Sequence, residues 1–275
     1  MTVAAWVTYV PTLDDIIEVC AELIGDDRRP VVVYAAMWPL ARLLGSRDRT
    51  LPDQLCERLE ALVGDHRSLL MPTFVPGYRD GLCDLDTTPS TTGQLSEAFR
   101  LRPGVRQTVS AFFPFAVRGP DSDAVITLRP QQAWGAGSLY EWFEQADVRF
   151  LMLGTHATHC SYLHRMEFLV GVPYRFNKSF TGAVRRQGEE FELTEELYVR
   201  TLDPLALNDF TVLGDALCAG GMQSRLIDGF PISEMGAVAM RDAFLPILQA
   251  DPLCVVQNQD DFAHLLYPAA RSIAQ

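Results

Sequence analysis

The 275-residue sequence has no apolar run long enough to cross a bilayer. Its longest, Pro30–Met37 and Phe150–Gly154, are bounded by charge or turn residues, so no membrane span is expected. It has no cluster of Lys or Arg either. With 23 basic against 35 acidic residues the formal charge is −12, the opposite of what phosphate tracking by counterion release requires. A nucleic-acid partner is therefore not expected, and cationic or neutral partners suit the balance better. The six cysteines (Cys20, Cys56, Cys83, Cys160, Cys218, Cys254) show no paired spacing, which argues against a disulfide scaffold and for free thiols in a reducing compartment. The first twenty residues lack the basic start of a signal peptide and run into an acidic helix pattern, so a cytoplasmic location is expected. Linkers, internal repeats and low-complexity tracts are missing as well. What is present is ample apolar material, 48% of residues, enough for a substantial core. One domain over residues 1–275 is expected, with a C-terminal helical elaboration over about 205–275.

The order of local signals points to an α/β fold. Thr12 precedes Asp14 and Asp15, and Ile16, Ile17, Cys20, Leu23 and Ile24 follow at helical spacing up to Gly25. Pro30–Tyr34 is a β-branched run without alternation, as in a strand buried on both faces. A helix from Pro52, a strand over Ser68–Val75, a helix over 94–100 and a strand around Val105–Val117 come next. Between them, residues 76–94 are rich in Gly, Asp, Thr and Pro and read as a long, functional type of loop. A helix over Leu139–Ala146, a strand over 148–154, a helix over Ser161–Val170 and a strand near Pro173–Phe176 continue the alternation. Residues 183–202 are charged and β-prone; Asn208–Ala219 and Ser233–Gln249 read as helices. Alternating strands and helices predict a three-layer α/β/α fold with a mixed, largely parallel central sheet.

Reactive side chains are densest at 155–167, THATHCSYLHRME, which holds three of the five histidines and directly follows a strand. Sites in α/β sheets form outside the carboxyl ends of strands. On a helix starting near Ser161, His164 and Glu167 lie three residues apart on one face. A carboxylate beside an imidazole can fix its tautomer and raise its basicity, as a general base near neutral pH needs. The competing reading is a first-turn histidine satisfied by its own i+3 glutamate on a solvated surface. His156, His159, Cys160, His164 and Glu167 can each ligate Zn²⁺, but their spacing matches no standard motif, and no metal is expected. WGAGS at 134–138 lacks the third glycine and the lysine of phosphate cradles and reads as a turn before a helix. There is no GxSxG, and adjacent His159 and Cys160 seldom point their side chains together.

Several segments in order resemble the aminoglycoside 3-N-acetyltransferase family: LMPTFVPGY (70–78), TPSTTGQLSEAFRLRPGV (88–105), AWGAGSLYEWFEQADVRFLMLGT (133–155), SYLHRMEFLVGVPYRF (161–176) and NDFTVLGDAL (208–217). The resemblance covers about residues 30–250 and looks like that of a divergent, non-resistance member. It implies an α/β/α fold that binds acetyl-CoA as co-substrate and transfers the acetyl group directly to an amine. It places the general base on His164, with Glu167 holding the imidazole or attracting a cationic substrate. It assigns Tyr34, Ala35, Thr73, Phe74, Gly93, Thr108 and Ser110 to the coenzyme A and thioester pocket, where backbone N–H groups can stabilise an oxyanion. Tyr78, Asp80, His159 and Tyr162 are the corresponding substrate-side residues.

Two departures from the family pattern bear on the donor. A His-Ser-Ser stretch after the first strand is replaced by Tyr34-Ala35-Ala36, which removes hydroxyl donors. An Arg-Ser-x-His-Pro segment is replaced by Gln107–Ala111, with Arg106 one place away. The expected function is therefore N-acyl transfer from a coenzyme A thioester to a small-molecule amine, in amino-sugar or specialised-metabolite biosynthesis. Three alternatives stay open: a hydrolase or condensing enzyme acting on a carrier- or amino-linked acyl group, with an acyl-carrier protein as partner; a non-catalytic binding protein; and a metal-dependent hydrolase using 156–167. A homodimer is compatible with the sequence. Asp80, Asp84, Asp86, Glu189, Glu190, Glu195 and Glu196 either meet a polycation or form a solvated surface.

Overall fold

In the computed structural model, residues 10–262 and Leu265 are described. Most of the N-terminal segment read for a leader and the end of the expected C-terminal helical region lie outside them. Helix α1 (Leu13–Ile24) starts at Thr12, whose side chain accepts from the Asp15 amide while Asp15 accepts from the Thr12 amide. That reciprocal cap satisfies two otherwise orphaned donors. Strand β1 (Val31–Ala35) follows, then α2 (Met37–Leu43), α3 (Leu51–Val63), β2 (Leu69–Pro72), β3 (Leu82–Asp84) and α4 (Gln94–Arg100). Next come β4 (Arg106–Gln107), β5 (Phe115–Arg118), α5 (Ser122–Ile126), α6 (Leu139–Gln145), β6 (Arg149–Leu153) and α7 (Leu163–Val170). The chain continues through β7 (Arg175–Arg186), β8 (Glu189–Arg200), α8 (Gly214–Ala219), β9 (Gln223–Ile227), β10 (Phe230–Gly236) and α9 (Ala237–Ala250).

Seven strands form one sheet in the order β4-β5-β2-β1-β6-β10-β9. Period-two alternation along the central strands divides the core between its two faces. Val31, Val33, Leu69, Met71, Leu151 and Leu153 pack with Ile16, Leu55, Leu59 and Phe99 from the helices of one layer. Val32, Leu70, Phe150 and Met152 pack with Phe143, Tyr162, Met166 and Phe244 from the other. This is the expected three-layer α/β/α arrangement around a mixed sheet. Its parallel share is smaller than the alternation suggested, because only β1 runs parallel to its neighbours β2 and β6, while every outer pairing is antiparallel.

The C-terminal region departs from its helical expectation. Residues 230–236, in part assigned to a helix from Ser233, form β10, which pairs with β6 and with β9. The β9–β10 turn is Asp228-Gly229, both at positive φ, the backbone that a tight hairpin demands and that Asp-Gly supplies. A second sheet, β3-β7-β8, projects beside the first. The strand expected near 173–176 is the start of a twelve-residue β7 paired along its whole length with β8, and β3 arises inside the expected 76–94 loop.

Candidate active site

Strand β6 ends at Leu153 and delivers the chain, through a short turn at Ala157–His159, to the start of α7. His164 stands in the first turn of that helix, and Ser161 lies three residues before it, on the same side of the chain. Both line a cavity of about 520 Å³. Phe74, Phe113, Trp134 and Phe210 give it aromatic walls, and one side comes from Leu197–Arg200 at the end of β8. The imidazole is 30% exposed and meets Trp134 and Phe210 edge-on, with ring centroids 5.9 and 5.5 Å away.

Glu167 beneath it has no exposed surface. Its Oε2 lies 2.6 Å from His164 Nδ1, while Oε1 accepts from Tyr174 at 2.7 Å and from Asn208 Nδ2 at 3.2 Å. Arg175 Nε is 3.0 Å from the same carboxylate in an ion pair without aligned hydrogen-bond geometry, and its Nη2 is 3.2 Å from His164 Nδ1. Burial by itself raises a carboxyl pKa; the charge and hydrogen bond of His164, then Arg175 and Tyr174, outweigh it and hold Glu167 below its ordinary 4.5. An ionised Glu167 accepts the Nδ1 proton. In the neutral ring this leaves Nε2 as the nitrogen with a free lone pair.

Ser161 Oγ is 2.9 Å from the Tyr34 hydroxyl and accepts from Tyr140 at 3.0 Å. Both phenols are buried. Burial pushes the Cys160 thiol beside Tyr34 up to about 12, so it stays protonated and is not a nucleophile. The Tyr140 bond fills one acceptor position of the serine; towards Tyr34 either hydroxyl can donate, and when Tyr34 donates the serine O–H is left to face the cavity.

The residues expected at the site divide sharply. His164, His159 and Phe74 line the cavity, with Glu167 directly beneath. Tyr162 does not: it is fully buried against Phe143 and Phe150 and donates to the Ala237 carbonyl. Tyr34 lies one layer below the cavity, behind Ser161. Ala35 packs against the core of the opposite face. The Thr73 amide and hydroxyl both donate to the Pro114 carbonyl, so Thr73 itself offers no oxyanion donor. Thr108 accepts from the Phe115 amide, and Ser110 donates to buried Glu195. Gly93 lines a separate cavity of about 700 Å³ between α3 and α4. Tyr78 packs over Gly182 and donates to Leu193 in the second sheet, and Asp80 occupies an exposed turn at positive φ. Trp134, Arg175, Arg200, Asn208 and Phe210 were not singled out as site residues. They come from four separated segments, and only the fold assembles them. Among the described residues, no group of three or more His, Cys, Asp or Glu is placed to hold a metal ion, and no helix is long and apolar enough to cross a membrane.

Comparison with known proteins sets the class first: the fold is that of N-acetyltransferases, matched across most of its length. The chain belongs to the aminoglycoside 3-N-acetyltransferase family, whose model matches residues 46–244. Among solved structures it is similar to AAC-IIIb in binary complex with CoASH, at 19% identity and TM-score 0.73, covering 87% of this chain and 97% of that one. It is similar to AAC-VIa bound to sisomicin, at 15% and 0.73, covering 88% and 98%. YokD protein from Bacillus subtilis follows at 15% and 0.66, covering 87% and 99%. A comparison with curated proteins finds no match.

Proposed function

We propose that the protein is an N-acyltransferase that moves an acetyl group from a coenzyme A thioester to a small-molecule amine by direct attack, with His164 as general base. The observation that carries this reading is an imidazole lining a cavity with its Nδ1 tied to a buried carboxylate 2.6 Å away. A neutral amine attacks the thioester carbonyl carbon, the C–N bond forms and the carbonyl π electrons move to oxygen. Ser161 donates its hydroxyl to that oxygen as charge develops. His164 Nε2 takes the proton from the nascent ammonium, and Glu167 stabilises the imidazolium while Arg175 balances the buried carboxylate. The C–S bond then breaks, and the proton passes to the departing thiolate.

The thioester end of the donor fits: the cavity is of ligand size, largely apolar, with the Ser161 hydroxyl beside His164. The residues expected to seat the rest of coenzyme A fit less well, since the polar groups of Tyr34, Thr73, Thr108 and Ser110 are engaged within the protein. That observation favours a second reading, transfer from a carrier-protein thioester. A setting in specialised-metabolite biosynthesis is supported by a cavity lining without carboxylates.

The test is free-thiol release from acetyl-CoA across a panel of amines, with His164→Ala beside the wild type. The variant should keep its circular dichroism spectrum and lose about 10²–10⁴ in kcat. Turnover within a few-fold of wild type would remove His164 from the role. Amine-dependent release with an acyl-carrier thioester and none with acetyl-CoA would select the second reading.

A further inference from the structure

The acidic surplus of the chain does not reach the cavity. Among its lining residues there is no Asp or Glu. The acids named as candidates to meet a polycation are placed elsewhere. Asp84 and Glu190 pair with Arg185, Asp86 accepts from the Gln187 and Gly188 amides at the hairpin tip, Glu196 binds Gln132, and Glu195 is buried on Ser110 and Ala111. Asp80 sits in its outer turn.

The cationic side of the lining is not empty. Arg175 is neutralised by Glu167, which it meets under the floor. Arg200 is different. It lines the cavity as an exposed residue, among the described residues it forms no ion pair, and its one side-chain hydrogen bond is a long 3.3 Å contact to the Ala206 carbonyl. Around it stand flat apolar surfaces: Phe74 and Phe113 meet edge to face at 5.1 Å, Phe113 contacts Trp134 at 5.1 Å, and Phe210 closes the His164 side. A polycation entering this space would lose hydration against aromatic rings and approach an uncompensated guanidinium, with no carboxylate to receive it.

We propose that the acyl acceptor is an arylalkylamine bearing one anionic oxygen group, carboxylate or phosphate, rather than a polycationic aminoglycoside. Arg200 holds the anion through the paired donors of its guanidinium, the aromatic walls hold the body, and the amine is presented to His164. The inference rests on the proposed function only in using the same cavity.

Binding to the full chain without any acyl donor separates the two claims. Calorimetric titration would use four probes: L-phenylalanine, O-phosphotyramine, phenethylamine and sisomicin. At least one of the two anionic probes should bind about tenfold or more tightly than phenethylamine, the size expected for one charge-assisted contact, and sisomicin should bind more weakly than either. Which anion wins distinguishes carboxylate from phosphate. Arg200→Gln should erase the advantage of the anionic probes over phenethylamine, and Arg200→Glu should invert the order in favour of sisomicin. The proposal is overturned if sisomicin outranks both anionic probes on the wild type, if neither anionic probe binds, or if Arg200→Glu weakens coenzyme A binding while leaving the anionic amines untouched. Failed acyl transfer beside the expected binding order would instead count against the proposed reaction alone.

Discussion

At the residue scale the site depends on hydrogens being in the right places. Ser161 lines the cavity beside His164, with its hydroxyl bonded to two buried phenols. Ser161→Ala should therefore lower kcat by about 10²–10³ with KM little changed, the usual effect of removing one oxyanion donor, and Ser161→Thr should recover most of it. Equal kcat in the alanine variant would assign the oxyanion to another group. Glu167 makes a prediction about stability. A carboxylate held below its unfolded pKa contributes stability above that unfolded value and loses it as pH falls through the folded one. Urea unfolding at pH 7 should show Glu167→Gln less stable by roughly 3 kcal/mol, since Arg175 loses its buried partner. The gap should narrow once the pH drops below 4.5, the ordinary value from which Glu167 is depressed. A gap independent of pH would mean that the charge on Glu167 contributes nothing to the fold.

At the element scale the long β7–β8 hairpin supplies one side of the cavity, and two contacts seat it. Gly182 lies under Tyr78, so closely that an added Cβ would fall 2.4 Å from the ring, and the ring is tethered through its hydroxyl to Leu193. Gly182→Ala should cost about 1–3 kcal/mol, as overpacking generally does, measured as a lower midpoint in urea. Glu195 is the second contact. Its burial raises its pKa, and the Ser110 and Ala111 hydrogen bonds only partly counter this. A raised carboxyl has the opposite pH sign: the stability it contributes is full below the unfolded pKa and is lost as pH rises through the folded one. Glu195→Gln keeps an acceptor without the charge, and at pH 7 it should stabilise the protein, read as a higher midpoint in urea. Destabilisation at pH 7 would show that the ionised form is the one the site prefers.

The same scale shows what was readable beforehand. The Thr12 cap, the buried β1 run and the helix over 94–100 lie where their local signals put them, because each is decided by neighbours in sequence. Strand β10 was read as helix from Ser233 although Asp228-Gly229 carries a hairpin signal. Its apolar residues are held by β6 and β9, strands 80 residues upstream and just beyond the turn, and the contribution of such pairing is invisible to a local pattern.

At the scale of the whole molecule the C-terminal region completes the fold. Ile232 and Met235 in β10 and Met240 and Phe244 in α9 are buried in the two faces of the core. A chain ending at residue 204 should lose its cooperative urea transition, and a sharp transition with near-native midpoint would show that the remaining strands suffice. The net charge of −12 belongs to this scale as well, and it does not carry over to the cavity, where among the described residues Arg200 stands without a counterion.

The sequence by itself determined the alternation of strands and helices and the pairing of His164 with Glu167, since helix geometry brings residues three apart onto one face whatever surrounds them. It also carried the family likeness. Only the tertiary structure decided what faces the imidazole. Trp134, Arg175, Arg200 and Phe210 converge on its cavity from separate elements, while Tyr162, one turn of chain away, is turned into the core. Which side of a chain becomes cavity and which becomes interior is set by the packing of distant surfaces against one another, and that information is distributed over the whole fold.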